Sequence, residues 1–377
     1  MRVREVRAVA ITVSLALATV RCAPKDRPAR VTQAIAVDSQ PIQVFEGSTP
    51  DGAALFGLVA GATRLADGTI VVADVSSSAL KFFDGQGRLA RTAGRDGSGP
   101  GEFRGLSGIK QCAQDSLFAT DAGHGVSVFS ATGALVRQFR LPQYAGLVAC
   151  SRDGVLAVVN SGEEEQEPQE DPEVRRLRTP LVLADARGTQ THELGVVSLG
   201  DIHTAGNGWL PQPGTSRAGF AVGRERVVVC PTDSGAIGAY SLRGRRLRPI
   251  PLDVPLRAPS RAYVEKFADE FVAAMPATMR AHFKERFLRI PATEHLPPCS
   301  SILVDPDDNV WVGLSVLGDS VTTLRVFGRD DRVLGDVTVP AALKVLEIGS
   351  DYLLASGESA DGEPWVRVYR VRRTAAP

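Results

Sequence analysis

The stretch from Ala62 to Phe103, ATRLADGTIVVADVSSSALKFFDGQGRLARTAGRDGSGPGEF, limits what this chain can become more than any other part of it. It holds four short runs rich in β-branched and aromatic residues. Turn residues bound them: Asp67-Gly68 after the first, Ser76 to Ser78 after the second, and Asp84 to Gly87 after the third. A four-stranded sheet of this length cannot bury its own faces, so copies must stack on one another. The pattern returns along nearly the whole chain of 377 residues.

With this unit as a ruler, the sequence divides into blades whose strands run from an inner to an outer position. The first blade takes residues 62–65, 69–73, 80–83 and 89–93, and the next four follow with inner strands at 108–112, 147–150, 220–222 and 301–304. The sixth blade has strands at 345–348, 352–355 and 366–371 and lacks an outer one. Pro41-Ile42-Gln43-Val44-Phe45-Glu46-Gly47, near the other end of the chain, has the composition of the missing strand. The expected fold is therefore all-β: a six-bladed β-propeller of four-stranded antiparallel blades, closed by an N-terminal strand that completes the last blade.

The N-terminal residues read as an export signal. Arg2, Arg4 and Arg7 form a positive region, residues 8–17 form an apolar run too short to span a bilayer, and Ala16-Leu17-Ala18 fits cleavage after residue 18. Cys22 raises the alternative of a lipid anchor, but Arg21 stands where that processing wants a small residue. The domain plan is a signal peptide over 1–18, a linker over 19–33, the propeller over 34–373 and a tail over 374–377. The expected location is periplasmic or cell-envelope associated, with no transmembrane segment in the mature chain. Basic and acidic residues balance at 43 each, so no global field points to nucleic acid.

Asp67-Gly68-Thr69-Ile70-Val71-Val72-Ala73-Asp74, Phe82-Phe83-Asp84-Gly85-Gln86-Gly87-Arg88-Leu89 and Gly99-Pro100-Gly101-Glu102-Phe103 resemble the NHL-type repeat. Over residues 35–373 the chain resembles the exported bacterial 6-bladed β-propeller family, including Leu303-Val304-Asp305, Trp311-Val312, Val326-Phe327 and Leu346-Glu347-Ile348-Gly349 in the last two blades. The resemblance implies the fold and the exported location, and it carries over no functional residues.

The connections inside each blade from first to second and from third to fourth strand are uniformly tight. All long insertions fall on the opposite face, at 160–180, 198–219 and 253–299. Binding function concentrates in loops on a rigid scaffold, so the elaborated face is the expected binding face. The first insertion is acidic, from Glu163 to Glu173, and reads as a solvated loop. The third is helical, with Tyr263, Phe267 and Phe271 at fourfold spacing, a break at Pro276, and a second stripe of Met279, Phe283 and Phe287. This helical insertion between blades four and five is expected to lie as a lid on those blades.

Candidate chemistry is sparse. Residues 94–105 are glycine-rich but precede a strand rather than a helix, so they do not cradle phosphate; Phe103 is expected to wedge between blades one and two. The five His residues lack metal-ligand spacing, and no nucleophile elbow occurs. The expected ligand-binding set is Arg64, Arg104, Lys110, His203 and His295, at the channel mouth on the elaborated face. No catalytic or metal-ligating residue and no cofactor is assigned.

The favoured reading is a monomeric, non-enzymatic binding or interaction module. Its partner would be an envelope protein, a peptide, or an anionic small molecule or polymer. The alternative is a metal-dependent hydrolase of the gluconolactonase-like propeller type, which needs carboxylates converging on a hard cation. The inner strands offer Arg64, Lys110, Gln111 and Glu347 instead of such a cluster. Export allows two disulfides, Cys112–Cys150 between adjacent inner strands and Cys230–Cys299 on the elaborated face, provided the radial spacing brings each pair of Cα atoms within about 7 Å.

Overall fold

The computed structural model describes residues 33–375, apart from 50–51, 113–115, 123–124, 142–144, 152, 161–164, 168–172, 206–207, 233, 274 and 315. The signal region, Cys22, His124 and most of the acidic run therefore lie outside the described residues. Everything below concerns the compact unit that begins at Val31.

Strand β1 spans Gln33–Glu46. The first sheet follows with β2 (Val59–Arg64), β3 (Ile70–Asp74), β4 (Ala79–Phe83) and β5 (Leu89–Ala93). The second holds β6 (Leu106–Cys112), β7 (Ser116–Asp121), β8 (Gly125–Phe129) and β9 (Leu135–Phe139). The third is larger, with β10 (Ala145–Cys150), β11 (Leu156–Asn160), β12 (Glu165–Glu167), β13 (Val174–Ala184), β14 (Gln190–Ala205) and β15 (Gly208–Pro211). The fourth holds β16 (Phe220–Val222), β17 (Arg226–Val229), β18 (Ala236–Ser241) and β19 (Ile250–Pro251).

Two helices follow, α1 (Arg261–Ala273) and α2 (Ala277–Phe287). The fifth sheet then holds β20 (Ser301–Val304), β21 (Val310–Leu314), β22 (Val321–Phe327) and β23 (Val333–Pro340). The last begins with β24 (Lys344–Ile348), β25 (Tyr352–Glu358) and β26 (Pro364–Ala375). Its fourth strand is β1, antiparallel to β26 from Gln33 against Ala375 to Glu46 against Trp365. The result is an all-β, propeller-like fold of antiparallel meanders.

The core lies between sheets rather than within one. Phe103 is fully buried among Leu65, Val71, Leu80 and Phe82 of the first sheet and Ile109, Leu117 and Phe129 of the second, so the expected wedge is present. Gly101 makes it possible: it takes φ 75° at the third position of a turn closed by Glu102 N–H donating to Gly99 O at 3.0 Å. Similar clusters join the second and third, third and fourth, fourth and fifth, and fifth and sixth sheets. Another joins the sixth to the first, where Phe45 of β1 packs edge-on to Phe83.

One short turn recurs at the tight end of the sheets. Asp84 accepts from the N–H groups of Gln86 and Arg88, and Asp185 accepts from Arg187 and Thr189. The fourth residue is left-handed: Gly87 has φ 80° and Gly188 φ 82°, with Asp308 and Asp331 in that position in the fifth sheet. The backbone donors hold these carboxyls, and that of Asp67 beside Thr69, below the ordinary aspartate value of 3.8. A carboxyl depressed in the folded state contributes stability above its unfolded pKa and loses it as pH falls through the folded value. Asp84→Ala combined with Asp185→Ala should therefore flatten the loss of stability below pH 3.8, read by urea unfolding at a series of pH values. A profile parallel to that of the parent would refute this.

The opposite end is tied by the aspartates that finish the second strands. Asp74 accepts from the N–H groups of Gly57 and Leu58, and Asp121 from those of Arg104 and Gly105. Each thereby fixes the chain entering the first strand of its own sheet.

The third sheet departs from expectation. Residues read as insertions at 160–180 and 198–219 are largely strand: β13 and β14 run on beyond the blade as a paired ribbon, flanked by β12 and β15. Bulges at Leu177/Arg178 and Leu181/Val182, with Gly195 and Gly200 at φ 128° and 103°, let the pairing turn and continue. Arg176 faces Asp201 across the ladder, so part of what reads as solvated charge is a cross-strand pair.

The helical insertion also docks elsewhere than expected. Its buried Ala268, Phe287 and Ile290 pack around Leu210 of β15, with Phe267, Phe271 and Phe283 at the edge. Gln212 Nε2 donates to Pro291 O at 3.2 Å, and Thr293 N–H donates to Pro213 O at 2.9 Å. Arg257 reaches Asp319 of the fifth sheet at 3.3 Å. The lid rests mainly on the ribbon of the third sheet, and Tyr263, Phe267, Phe271 and Phe283 stay half-buried because only one flank of the helix pair is covered.

Candidate functional site

The first strands of the sheets, β2, β6, β10, β16, β20 and β24, each lie beside the next, and β24 lies beside β2. The space among these strands is called the channel below. Each enters from the elaborated end and leaves into a short turn. A cavity of ≈ 270 Å³ lies toward the strand starts, lined among others by Gly61, Ser107, Ser301 and Lys344. A second of ≈ 160 Å³ lies toward the strand ends, lined among others by Arg224, Asp305, Asp308 and Glu347. Lys110, Ile302, Leu303 and Leu346 border both.

Lys110 stands where the two cavities meet. Strand β6 carries it inward two residues before Cys112, whose disulfide to Cys150 fixes β6 to β10 at a Cα separation of 5.9 Å. Its ammonium donates to the Leu346 carbonyl at 3.0 Å. The side chain lies deep in the molecule, yet much of its surface is open to the channel rather than covered by protein. That burial lowers its pKa below the usual lysine range; Glu347 opposes the shift and Lys344 adds to it. Lys344, which begins β24 opposite Ser356, lines the larger cavity and was not among the sequence candidates. The signal was available: the inner strand starts one residue before the apolar run at Val345.

The other candidates do not join Lys110. Arg64 is the last residue of β2 and stands at the end with the short turns, not at the elaborated mouth. Its guanidinium lies 4.7 Å from the Tyr352 ring centre and 3.9 Å from Asp351. A strand read without its direction gives the right strand and the wrong end. Arg104 donates through Nε to Ser98 and lines a separate cavity with Glu102, Asp121 and Gln138. His203 lies within β14 rather than on a connection; it is buried, with Nε2 3.1 Å from the Glu173 carboxylate. His295 is exposed in the connection before β20, its Nδ1 2.8 Å from the Glu294 carbonyl.

The channel carboxylates are engaged by the protein. Glu347 accepts from the Thr63 and Tyr352 hydroxyls. Asp308 accepts from Arg224 N–H at 2.7 Å. Asp305, fully buried, accepts from Asn309 and from Trp311 Nε1 at 2.9 Å, and pairs with Arg373 of β26 at 2.9 Å. Among the described residues no group of three or more His, Cys, Asp and Glu is placed to hold a metal ion. Because Arg373 neutralises a carboxylate shut away from water, Arg373→Met should cost about 3 kcal/mol or more in urea unfolding. The double change Asp305→Asn with Arg373→Met should recover much of that loss. A single change within the error of the parent would refute the coupling.

The second expected disulfide is also present, Cys230–Cys299 at a Cα separation of 5.8 Å, linking the end of β17 to the segment before β20. Among the described residues no helix is long and apolar enough to cross a membrane.

Solved structures place this architecture. A member of the DUF4221 family from Bacteroides vulgatus is similar over 92% of this chain and 100% of its own, with a TM-score of 0.50 at 9% identity. A Bacteroides fragilis protein named as exported is similar over 91% and 96% with a TM-score of 0.49 at 14% identity. Virginiamycin B lyase from Staphylococcus aureus is similar over 90% and 99% with a TM-score of 0.42 at 8% identity. At such identities the first of these speaks to fold alone. No protein-family model matches the sequence, and the comparison with curated proteins finds no match.

Proposed function

We propose that this chain is an exported six-bladed β-propeller, closed by its own N-terminal strand, that serves as a non-enzymatic binding module with its ligand in the channel. The pairing of β1 with β26 and the core cluster between the sixth and first sheets support closure of the ring. Two disulfides fit an oxidising compartment outside the cytoplasm and agree with an N-terminal export signal. The observation that carries the binding site is Lys110, a charged side chain standing between two cavities on the axis of the fold. A concave space with few convergent polar groups on rigid strands is the usual form of a small-ligand site. Of the sequence candidates, this reading keeps Lys110 as the centre of the site and replaces its distant companions with Lys344.

The test is a thermal-shift screen of small molecules on the parent and on Lys110→Trp, which fills the junction between the cavities. A channel ligand raises the melting temperature of the parent and not of the variant, since only binding to the folded state stabilises it. Ligands that stabilise both equally, or that map to the helix pair, would overturn the channel as the site.

A further inference from the structure

We infer that the larger channel cavity binds a small amphipathic carboxylate, its head group held between Lys110 and Lys344 and its apolar body against Ile109, Ile302, Leu303 and Leu346. This rests on the channel as the binding site and names what the channel takes.

Charge decides the first half. Among the described residues Lys110 and Lys344 are the only ionisable side chains lining this cavity, and no carboxylate lines it. Among the described residues neither amine has a carboxylate within ion-pair distance. The nearest acid, Glu347, lines the smaller cavity and is occupied by Thr63 and Tyr352. Two ammonium groups facing one confined space repel, and neither has a paired counter-charge there. An anion entering the cavity removes both penalties, whereas a cation would add to them.

Donor geometry agrees. An ammonium carries three N–H donors, and Lys110 places one on the Leu346 carbonyl, leaving donors for a ligand oxygen. Ser301 borders the same space, where its hydroxyl can donate to the head group, while the Ser107 hydroxyl already donates to Thr120.

The remaining lining decides the second half. Apart from these groups, Thr120, the Cys112–Cys150 disulfide and two glycines, it is aliphatic or aromatic, including Phe118 at one side. A fully hydrated ion such as phosphate would leave those walls unpaired, while an alkyl or aryl tail covers them. At ≈ 270 Å³ the cavity suits a small molecule, not a polymer chain.

Binding should also take up protons. Burial depresses the Lys110 pKa in the free protein. A carboxylate beside it favours the charged amine and raises that pKa again. Affinity therefore falls as pH rises through the depressed value, where the amine must first be protonated.

Hexanoate, hexanamide and hexylamine would be titrated calorimetrically into the full, disulfide-bonded chain, into Lys110→Met and Lys344→Met, and into Lys110→Arg as a charge-preserving control. Hexanoate should bind at least about tenfold more tightly than hexanamide, hexylamine should not bind, and each Met change should cost hexanoate about tenfold. Lys110→Arg should retain most of the affinity, and its fold is checked by near-ultraviolet circular dichroism. Equal binding of hexanoate and hexanamide would overturn the charge assignment yet leave the channel in place. Hexanoate binding unchanged in both Met variants would remove the site from the lysines. Absence of hexanoate binding at millimolar concentration would overturn the ligand class, while the Lys110→Trp comparison separately decides whether the channel binds at all.

Discussion

A chain that begins after residue 48 should yield no soluble, cooperatively folding monomer. Strand β1, fourteen residues long, pairs ten of them with β26, and without it that strand becomes a long open edge. The loss reaches the core as well as the edge. Phe45 is 2% exposed and packs on Phe83 across the boundary between the sixth and first sheets. Truncating that one side chain to alanine should cost about 3–5 kcal/mol, against a total stability on the order of 5–15 kcal/mol. Deleting the strand removes this contact and the whole ladder beside it. Size-exclusion chromatography and urea unfolding of the shortened chain test this, with a peptide covering residues 31–48 added in trans as a rescue. A monomer that melts like the parent without the peptide would refute it.

Removing either disulfide should be nearly as damaging to equilibrium stability, though not to topology. Cys112–Cys150 closes a loop with sequence separation 38, and Cys230–Cys299 one of 69. Chain-entropy arguments give about 4 kcal/mol for loops of these lengths, slightly more for the longer. Paired Cys→Ala changes at each bridge should lower the urea midpoint and steepen the slope, because the unfolded chain becomes less compact, and the two losses should add because the bridges lie at different sheet boundaries. The Cys112–Cys150 pair should matter to ligand binding too, since Lys110 stands two residues from Cys112 on the strand it anchors. Mass mapping of unreduced protein that finds four free thiols, or a variant as stable as the parent, would contradict the prediction.

Most of the architecture was legible because it repeats. Short β-branched and aromatic runs bounded by turn residues locate β2 to β5, and the same ruler finds the first strands of every later sheet. A missing outer strand at one end and an orphan strand at the other implied the β1–β26 pair. Two things escaped. In the third sheet the ribbon of β13 and β14 lacks clean alternation, because bulges at Leu177/Arg178 and Leu181/Val182 shift the faces and Arg175, Arg176 and Arg178 read as a charge run. In the channel, sequence shows which residues ride on inner strands but not their height along the axis. Arg64 ends its strand while Lys110 lies within one, so two basic residues that read alike come out at different depths. His203 was placed on a connection because the strand carrying it was read as ending at residue 196, well short of Ala205.

The pairing of β1 with β26 also sets the order of events during synthesis. Among the described residues the first strand has its partner in the last, with Glu46 opposite Trp365 in the ladder. Every intermediate sheet can form by local hairpins as the chain emerges, but β1 has nowhere to bind until the C-terminal residues arrive. Contacts of such long sequence separation form slowly. For the length of that wait the nascent protein carries an uncovered strand with Phe45 among its side chains, and an unfinished last sheet at the other end. A chain crossing a membrane end-first would hold β1 on the far side before its partner had been translocated. On the proposed export route, holdase chaperones in the receiving compartment should act on this protein early, and stalled or C-terminally clipped chains should be the ones that aggregate or recruit a second copy's β1.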